Sequence, residues 1–176
     1  MKGIRARSAS TPDVAFCASR RAGIYDAGMR AVVQRVSRAE VSVGGKCLGR
    51  IGAGFAVLLG VARDDTEADA DFIADRILGL RVFADEAGKM NLALSAVGGA
   101  LLAISQFTLL ADTSGGRRPS FIKAAPPELA KPLYEHFLSL VRARGVKVET
   151  GEFGAHMELT LVNDGPVTIA LDSRVR

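Results

Sequence analysis

The chain has 176 residues, of which 48% are apolar and 24% charged, a length that suits one domain and a composition that excludes bulk disorder. Its net charge is +4, but residues 1–28 hold Lys2, Arg5, Arg7, Arg20 and Arg21 against Asp13 and Asp26, a net +3 that leaves +1 for residues 29–176. A body so close to neutral excludes capture of a polyanion by a global field, so any such partner must be met by a local patch.

Residues 1–28 show no apolar run long enough for a signal segment or a membrane span. Their Arg and Ser content with few acids has a weak organellar-targeting look. The alternative is a disordered tail or an upstream start codon, with Met29 the true beginning, and the lack of periodicity before Met29 favours it. The fold is therefore read over residues 29–176. Cys17 lies in the leader and Cys47 stands alone, so there is no disulfide framework and no C-x-x-C pair. A reducing, cytoplasmic setting fits this best.

From Met29, RAVVQRVSRAEVSV is rich in β-branched residues, and Gly44-Gly45 reads as a two-residue hairpin turn into KCLGRI. FAVLLGV, an unbroken apolar run, suits a strand buried on both faces. Thr66 with Asp69 three residues on predicts a helix over roughly 66–80, with Phe72, Ile73, Arg76, Ile77 and Leu80 on one face. RVFADEAGKMN reads as a strand and turn, and ALLAISQFTLL as a second long apolar strand. A polar Gly-rich loop, ADTSGGRRPSF, follows.

A second helix is predicted from Pro126-Pro127 to Gly145, burying Leu129, Leu133, Tyr134, Phe137, Leu138 and Val141, with Pro132 an irregularity in its second turn. VKVETGEF, AHMELTLV and PVTIALDS read as closing strands. Gly165-Pro166 precedes the last of them, and proline is confined to edges, first positions and bulges of sheets, so the pair predicts entry into a sheet. Strands in runs, two separated helices and no βαβα alternation predict an α+β domain with a mainly antiparallel sheet.

The inventory limits the chemistry. His136 and His156 lie twenty residues apart with no cysteine pair near, so metal-ligand spacing is absent. A Ser-His-Asp site requires His156 to meet Ser105 or Ser114, and no G-x-S-x-G elbow is present. GAGFAVLLG lacks the Lys-Ser/Thr of a P-loop, so Gly52 and Gly54 read as turn residues. Arg117-Arg118 after Gly115-Gly116 are placed either for phosphate contact or as a solvated loop. In SQFTL, polar residues break into an apolar strand on both parities, which reads either as a hydrogen-bonded strand end or as a ligand site.

SQFTL at 105–109 and NDGPVT at 163–168, the second of the form Asn-x-Gly-Pro-Val-Thr, resemble the two signature motifs of the D-aminoacyl-tRNA deacylase family. The similarity runs from Met29 to about Arg174 and includes RAVVQRVSRAEVSV, GGRRPSF and GEFGAHM. It implies a small α+β, barrel-like homodimer with active sites at the subunit interface, needing no cofactor or metal. The substrate implied is aminoacyl-tRNA, with hydrolysis of the ester that joins a D-amino acid, or glycine mischarged on tRNA(Ala), to the 3′-terminal ribose. By motif, a cis Gly165-Pro166 would reach into the partner subunit's pocket, and Arg35 would help hold that loop. Ser105, Gln106, Phe107 and Thr108 would line the receiving pocket, with Met157 close by.

An aminoacyl ester is already activated, so orientation of water and backbone N–H donors to the oxyanion can suffice. The Phe107 and Thr108 amides are the candidates, with the ribose 2′-hydroxyl assisting. Thr108 as nucleophile is the alternative, although no base stands beside it in sequence. Arg117, Arg118 and Lys123 are the candidate tRNA contacts. A dimeric RNA-binding module without catalysis is the reading from another class, and release of amino acid from D- but not L-aminoacyl-tRNA separates the two.

Overall fold

A computed structural model describes residues 28–175. Eight strands and two helices build it: β1 (Arg30–Val43), β2 (Lys46–Ile51), β3 (Gly54–Gly60), α1 (Glu67–Gly79), β4 (Arg81–Ala84), β5 (Met90–Ala93), β6 (Ala100–Ser105), α2 (Pro127–Ala143), β7 (Val148–Thr150) and β8 (Glu158–Asp172). Two 3-10 turns, Leu94–Val97 and Phe107–Leu110, flank β6. Of the expected leader, residues 1–27 lie outside the described residues. Among them, no helix is long and apolar enough to cross a membrane.

β1 organises the sheet. Arg30–Val36 pairs antiparallel with β3, Ala39–Val43 with β2, and β8 runs antiparallel along nearly the whole of β1. The path is β2-β1-β3-β6-β7, with β3-β6 and β6-β7 parallel, so the sheet is mixed although antiparallel pairs dominate. β2 returns to β7: a side chain at Gly49 would sit 2.9 Å from the Thr150 carbonyl oxygen, which makes a nearly closed barrel. The β1–β2 hairpin turns at Gly44 and Gly45 with φ of 55° and 79°, a geometry that glycine adopts without steric cost.

The unbroken apolar run of β3 has a physical reason. Phe55, Val57 and Leu59 face a core shared with Ile73 and Ile77 of α1 and Phe137 and Val141 of α2. Ala56 of the same strand packs with Val36, Val41, Ile51, Leu102 and Ile104 inside the barrel. Each face of β3 thus has its own hydrophobic partner.

α1 starts where Thr66 predicts: the Asp69 carboxylate accepts from the Thr66 backbone N–H at 2.9 Å and its hydroxyl at 3.0 Å. α2 begins at Pro127, with Pro132 inside it on the exposed side, where a missing N–H leaves a carbonyl that water can reach. Leu129 is a correction: it is 52% exposed, and Ala130 takes its place in the buried stripe with Tyr134, Phe137, Leu138 and Val141.

Two further expectations change. The apolar strand of ALLAISQFTLL stops at Ser105: Gln106 N–H still makes a last ladder bond to Leu59 O at 2.7 Å, but its ψ of 81° turns the chain into the second 3-10 turn. Gly165-Pro166 does not open a strand either, since β8 runs continuously through it. Gln34 pairs with Thr168 and Val36 with Asn163, so five steps on β8 oppose two on β1. The excess is a bulge facing Arg35, and a bulge is a site where proline costs the ladder no hydrogen bond.

Candidate active site

A cavity of about 620 Å³ opens between the ends of β3 and β6, the start of α2, and the loop ahead of β8. Leu58, Leu59, Ile104, Ser105, Gln106 and Phe107 supply one side, with Phe121, Tyr134 and Phe153 to Met157 supplying the other. The walls are mostly apolar, with few polar groups, as a site for a small organic ligand requires. The Tyr134 hydroxyl is turned away from reaction, donating to Ala103 O at 2.9 Å, and burial pushes its phenol above the ordinary range. Tyr134 in turn meets Phe153 at a tilt of 54°, with ring centres 6.0 Å apart.

Of the sequence-predicted pocket residues, Ser105, Gln106, Phe107 and Met157 meet here. Thr108 stands just outside. Its Oγ1 accepts from Gln106 Nε2 at 2.5 Å, and neither a carboxylate nor an imidazole bonds it. The Phe107 and Thr108 N–H groups open the 3-10 turn, where the first N–H groups have no partner within the helix, and among the described residues neither bonds a backbone group outside it. Two adjacent amides are thereby left as donors at the cavity edge. His156 and Ser105 line the same cavity, but no hydrogen bond joins them into a nucleophile-base pair.

Phe107 is 56% exposed and meets Phe121 edge to face at 5.0 Å. Phe121 ends the loop that carries Arg117 and Arg118, both exposed. Lys123 is placed differently. It is half-buried and pairs with Asp112 at 3.4 Å, pinning the base of the loop, where Asp112 and Ser120 exchange two backbone hydrogen bonds at 2.8 Å. Hydrogen bonds from Ser114, together with Lys123, hold the Asp112 carboxyl at about 2.

The Gly165-Pro166 peptide is cis, and both residues are exposed. Arg35, its side chain 12% exposed, reaches across the bulge: Nε donates to Asp164 O at 3.1 Å and pairs with the Asp164 carboxylate at 3.2 Å, while Nη1 donates to Val82 O of β4. Asn163 closes the loop from within, accepting from Val167 N–H at 2.9 Å and donating to Thr168 Oγ1 at 3.1 Å. Gln34 also donates to that hydroxyl.

Arg35, Gly165 and Pro166 form no part of the cavity wall. Arg35 lies level with Phe55 of β3, whereas Ser105 lies level with Leu59. Four strand residues separate those levels, roughly 13 Å along the sheet. One chain therefore carries a cavity at one end of β3 and a rigid, exposed bulge at the other. Phe121, Tyr134, Phe153, Asn163 and Thr168 were not singled out as site residues. The first three look like core aromatics, and only Asn-x-Gly-Pro, an Asx-capable residue before a turn pair, signalled Asn163.

Family comparison gives the class and then the family. A family model described as D-Tyr-tRNA(Tyr) deacylase matches residues 32–172. D-aminoacyl-tRNA deacylases of Symbiobacterium thermophilum and Anaeromyxobacter dehalogenans are each 61% identical, over 82% and 83% of this chain and 96% and 98% of theirs. A solved structure titled c-Myc DNA Unwinding Element Binding Protein is 42% identical with a TM-score of 0.76, covering 81% of this chain and 97% of that one. The fold also matches a probable eukaryotic D-amino acid tRNA deacylase, at a TM-score of 0.73 and 19% identity over 82% and 98%. The protein is thus an ester hydrolase by class. The chain belongs to the D-aminoacyl-tRNA deacylase family.

Proposed function

We propose that residues 29–176 hydrolyse D-aminoacyl-tRNA as a homodimer in which each cavity is completed by the partner's Gly165-Pro166 bulge. The observation that carries this reading is the separation of the two motifs within one chain. The SQFTL cavity is walled mostly by apolar side chains and includes no residue of the Asn163–Thr168 bulge, while that bulge, held by Arg35, exposes Gly165 and Pro166 toward the other end of β3.

In this reading the bulge carbonyls accept the substrate's ammonium while the Phe107 and Thr108 amides face the ester. Those two anchors leave two directions at Cα. One has room for the side chain and the other faces main chain, so an L residue is rejected by sterics and glycine is not. Glycyl esters are therefore admitted as well, and the family resemblance makes glycine mischarged on tRNA(Ala) the second substrate in this reading.

Water adds to the ester carbonyl carbon, and charge gathers on the oxygen opposite the two N–H donors. The bond to the 3′-oxygen then breaks, and the proton reaches that oxygen through the neighbouring 2′-hydroxyl. Positioning supplies most of the effect, because the ester is already reactive. Arg117 and Arg118 meet tRNA phosphates beside the cavity mouth, and Cys47, free and exposed among the described residues, suits the reducing cytoplasm where aminoacyl-tRNA circulates.

The test is release of labelled tyrosine from D- and L-tyrosyl-tRNA by the chain starting at Met29, with its mass measured in solution. Release from the D form alone by a dimer supports the reading. Binding of tRNA without release leaves an RNA-binding module, and activity in a monomer removes the cross-subunit part.

A further inference from the structure

We propose that Arg30 is a positioning residue for deacylation, holding the Phe107–Leu110 turn from its outer side and so fixing where the Phe107 and Thr108 N–H groups point. The inference rests on the reading above, in which those amides meet the ester.

Arg30 opens β1, paired in register with Gly60 of β3 on one side and Asp172 of β8 on the other. Its guanidinium divides its bonds: Nε donates to Asp172 Oδ2 at 3.0 Å and Nη1 to Leu109 O at 2.9 Å. Asp172 is itself held, its second oxygen accepting from the backbone N–H of Gly28 at 3.2 Å and of Arg174 at 3.0 Å. The guanidinium is thus a fixed strut between the end of β8 and the turn. A planar fork can serve two acceptors in set directions, which a lysine ammonium does not reproduce.

The turn rests on Gly60 as well. A side chain there would lie 2.8 Å from Gln106 O and 3.0 Å from Leu109 Cβ, so the turn sits directly on the strand backbone. Glycine beneath and arginine at the side leave the turn little freedom. Arg30 and Leu109 line a separate groove of about 610 Å³ beside α1, whereas Gln106 and Phe107 line the substrate cavity. Arg30 therefore acts on the far face of the turn and reaches the substrate only through it.

The experiment compares wild type, Arg30→Met and Arg30→Lys by steady-state deacylation of D-tyrosyl-tRNA, thermal melting, and amide NMR with hydrogen exchange. Loss of the strut lowers kcat of Arg30→Met by about tenfold to a hundredfold, the scale of a misplaced catalytic group, while KM changes by less than about twofold. Arg30→Lys recovers part of the loss. The Phe107 and Thr108 amide signals shift and exchange faster, while core amides such as Phe55 and Val57 keep their protection. An unchanged kcat overturns the proposal, as does parallel loss of kcat, KM and core protection, which marks general loosening. If wild type releases no amino acid, the functional reading fails, and the amide signals alone decide whether Arg30 orders the turn.

Discussion

Arg35 presents one guanidinium nitrogen to two oxygens of Asp164, 3.1 Å from the backbone carbonyl and 3.2 Å from the carboxylate. The two contacts differ in consequence. The carboxylate is 57% exposed, so its ionic part contributes little, whereas the carbonyl contact fixes main chain next to Gly165. Arg35→Met is expected to cost about 1.5–3 kcal/mol of stability. Its single-turnover deacylation of D-tyrosyl-tRNA should fall by about a hundredfold. Asp164→Asn, which retains the carbonyl, should leave that rate nearly unchanged. Equal losses in both variants would show that the charge, not the main chain, is what Arg35 serves.

Thr108 has a hydrogen bond from Gln106 and no base at its hydroxyl. Thr108→Ala should therefore keep most of the deacylation rate. A substrate ending in 2′-deoxyribose should lose about a hundredfold or more, the scale of a missing proton-transfer partner. Opposite outcomes in the two assays would assign the chemistry to the threonine.

Cross-subunit completion predicts complementation. A variant lacking Asp164–Val167 has an intact cavity, and a Gln106→Trp variant has an intact bulge with a filled cavity. Each homodimer should be inactive. Unfolding and refolding them together should yield mixed dimers with one working site, detected as returning D-tyrosine release. No return from dimers shown to be mixed would mean that each chain builds its site alone.

Asp65 lies under the ends of β1 and β8, its carboxylate accepting from Ala62 N–H at 2.6 Å and pairing with Arg174 at 3.4 Å. Desolvation by burial outweighs these contacts and pushes its carboxyl from 3.8 up to about 6. Between those two values the folded state binds the proton better than the unfolded chain does, so stability falls as pH rises through the window. Neighbouring Asp69 is also penalised by burial, but bonds from Thr66 and Ser173 and the Arg174 charge outweigh that and lower it. Its contribution is present above 3.8 and is lost as pH falls further. Urea midpoints measured across this range should decline toward pH 6, and Asp65→Asn should flatten the decline. A midpoint that rises over the same interval would contradict the burial argument.

Gly54 begins β3 against β6, where an added Cβ would come 1.8 Å from Ala100 O. The obstacle is main chain in a ladder, which has nowhere to move. Gly54→Ala should lose about 3 kcal/mol or more in urea unfolding. A loss under about 1 kcal/mol would mean that β3 and β6 part easily.

The elements whose period and punctuation agree were legible in the sequence. α1 shows its Thr66-to-Asp69 start and its three- and four-residue spacing, and Gly44-Gly45 marks the first hairpin. FAVLLGV was readable as doubly buried because both of its faces find a core. What escaped depended on partners distant in sequence. Nothing in ALLAISQFTLL says that the chain will leave the strand at Gln106 and coil into a turn packed on Gly60. Nothing in PVTIALDS says that β1 will run past Gly165-Pro166 and turn an apparent strand start into a bulge. The site divides in the same way: SQFTL and Asn-x-Gly-Pro-Val-Thr are local, whereas Tyr134, Phe153 and Phe121 reach the cavity only once α2 and two loops have docked.

The bulge on β8 also bears on how this protein can change over generations. In the reading proposed above, the substrate meets the bulge's peptide carbonyls, a group every amino acid possesses, so exchanges that keep the cis bond and the positive φ of Gly165 scarcely alter what it meets. On that reading, a shift in handedness would instead require gaining or losing a residue opposite Arg35, which would reset the pairing of two long strands together. Fidelity kept in that form resists drift by substitution and yields only to rarer insertions and deletions.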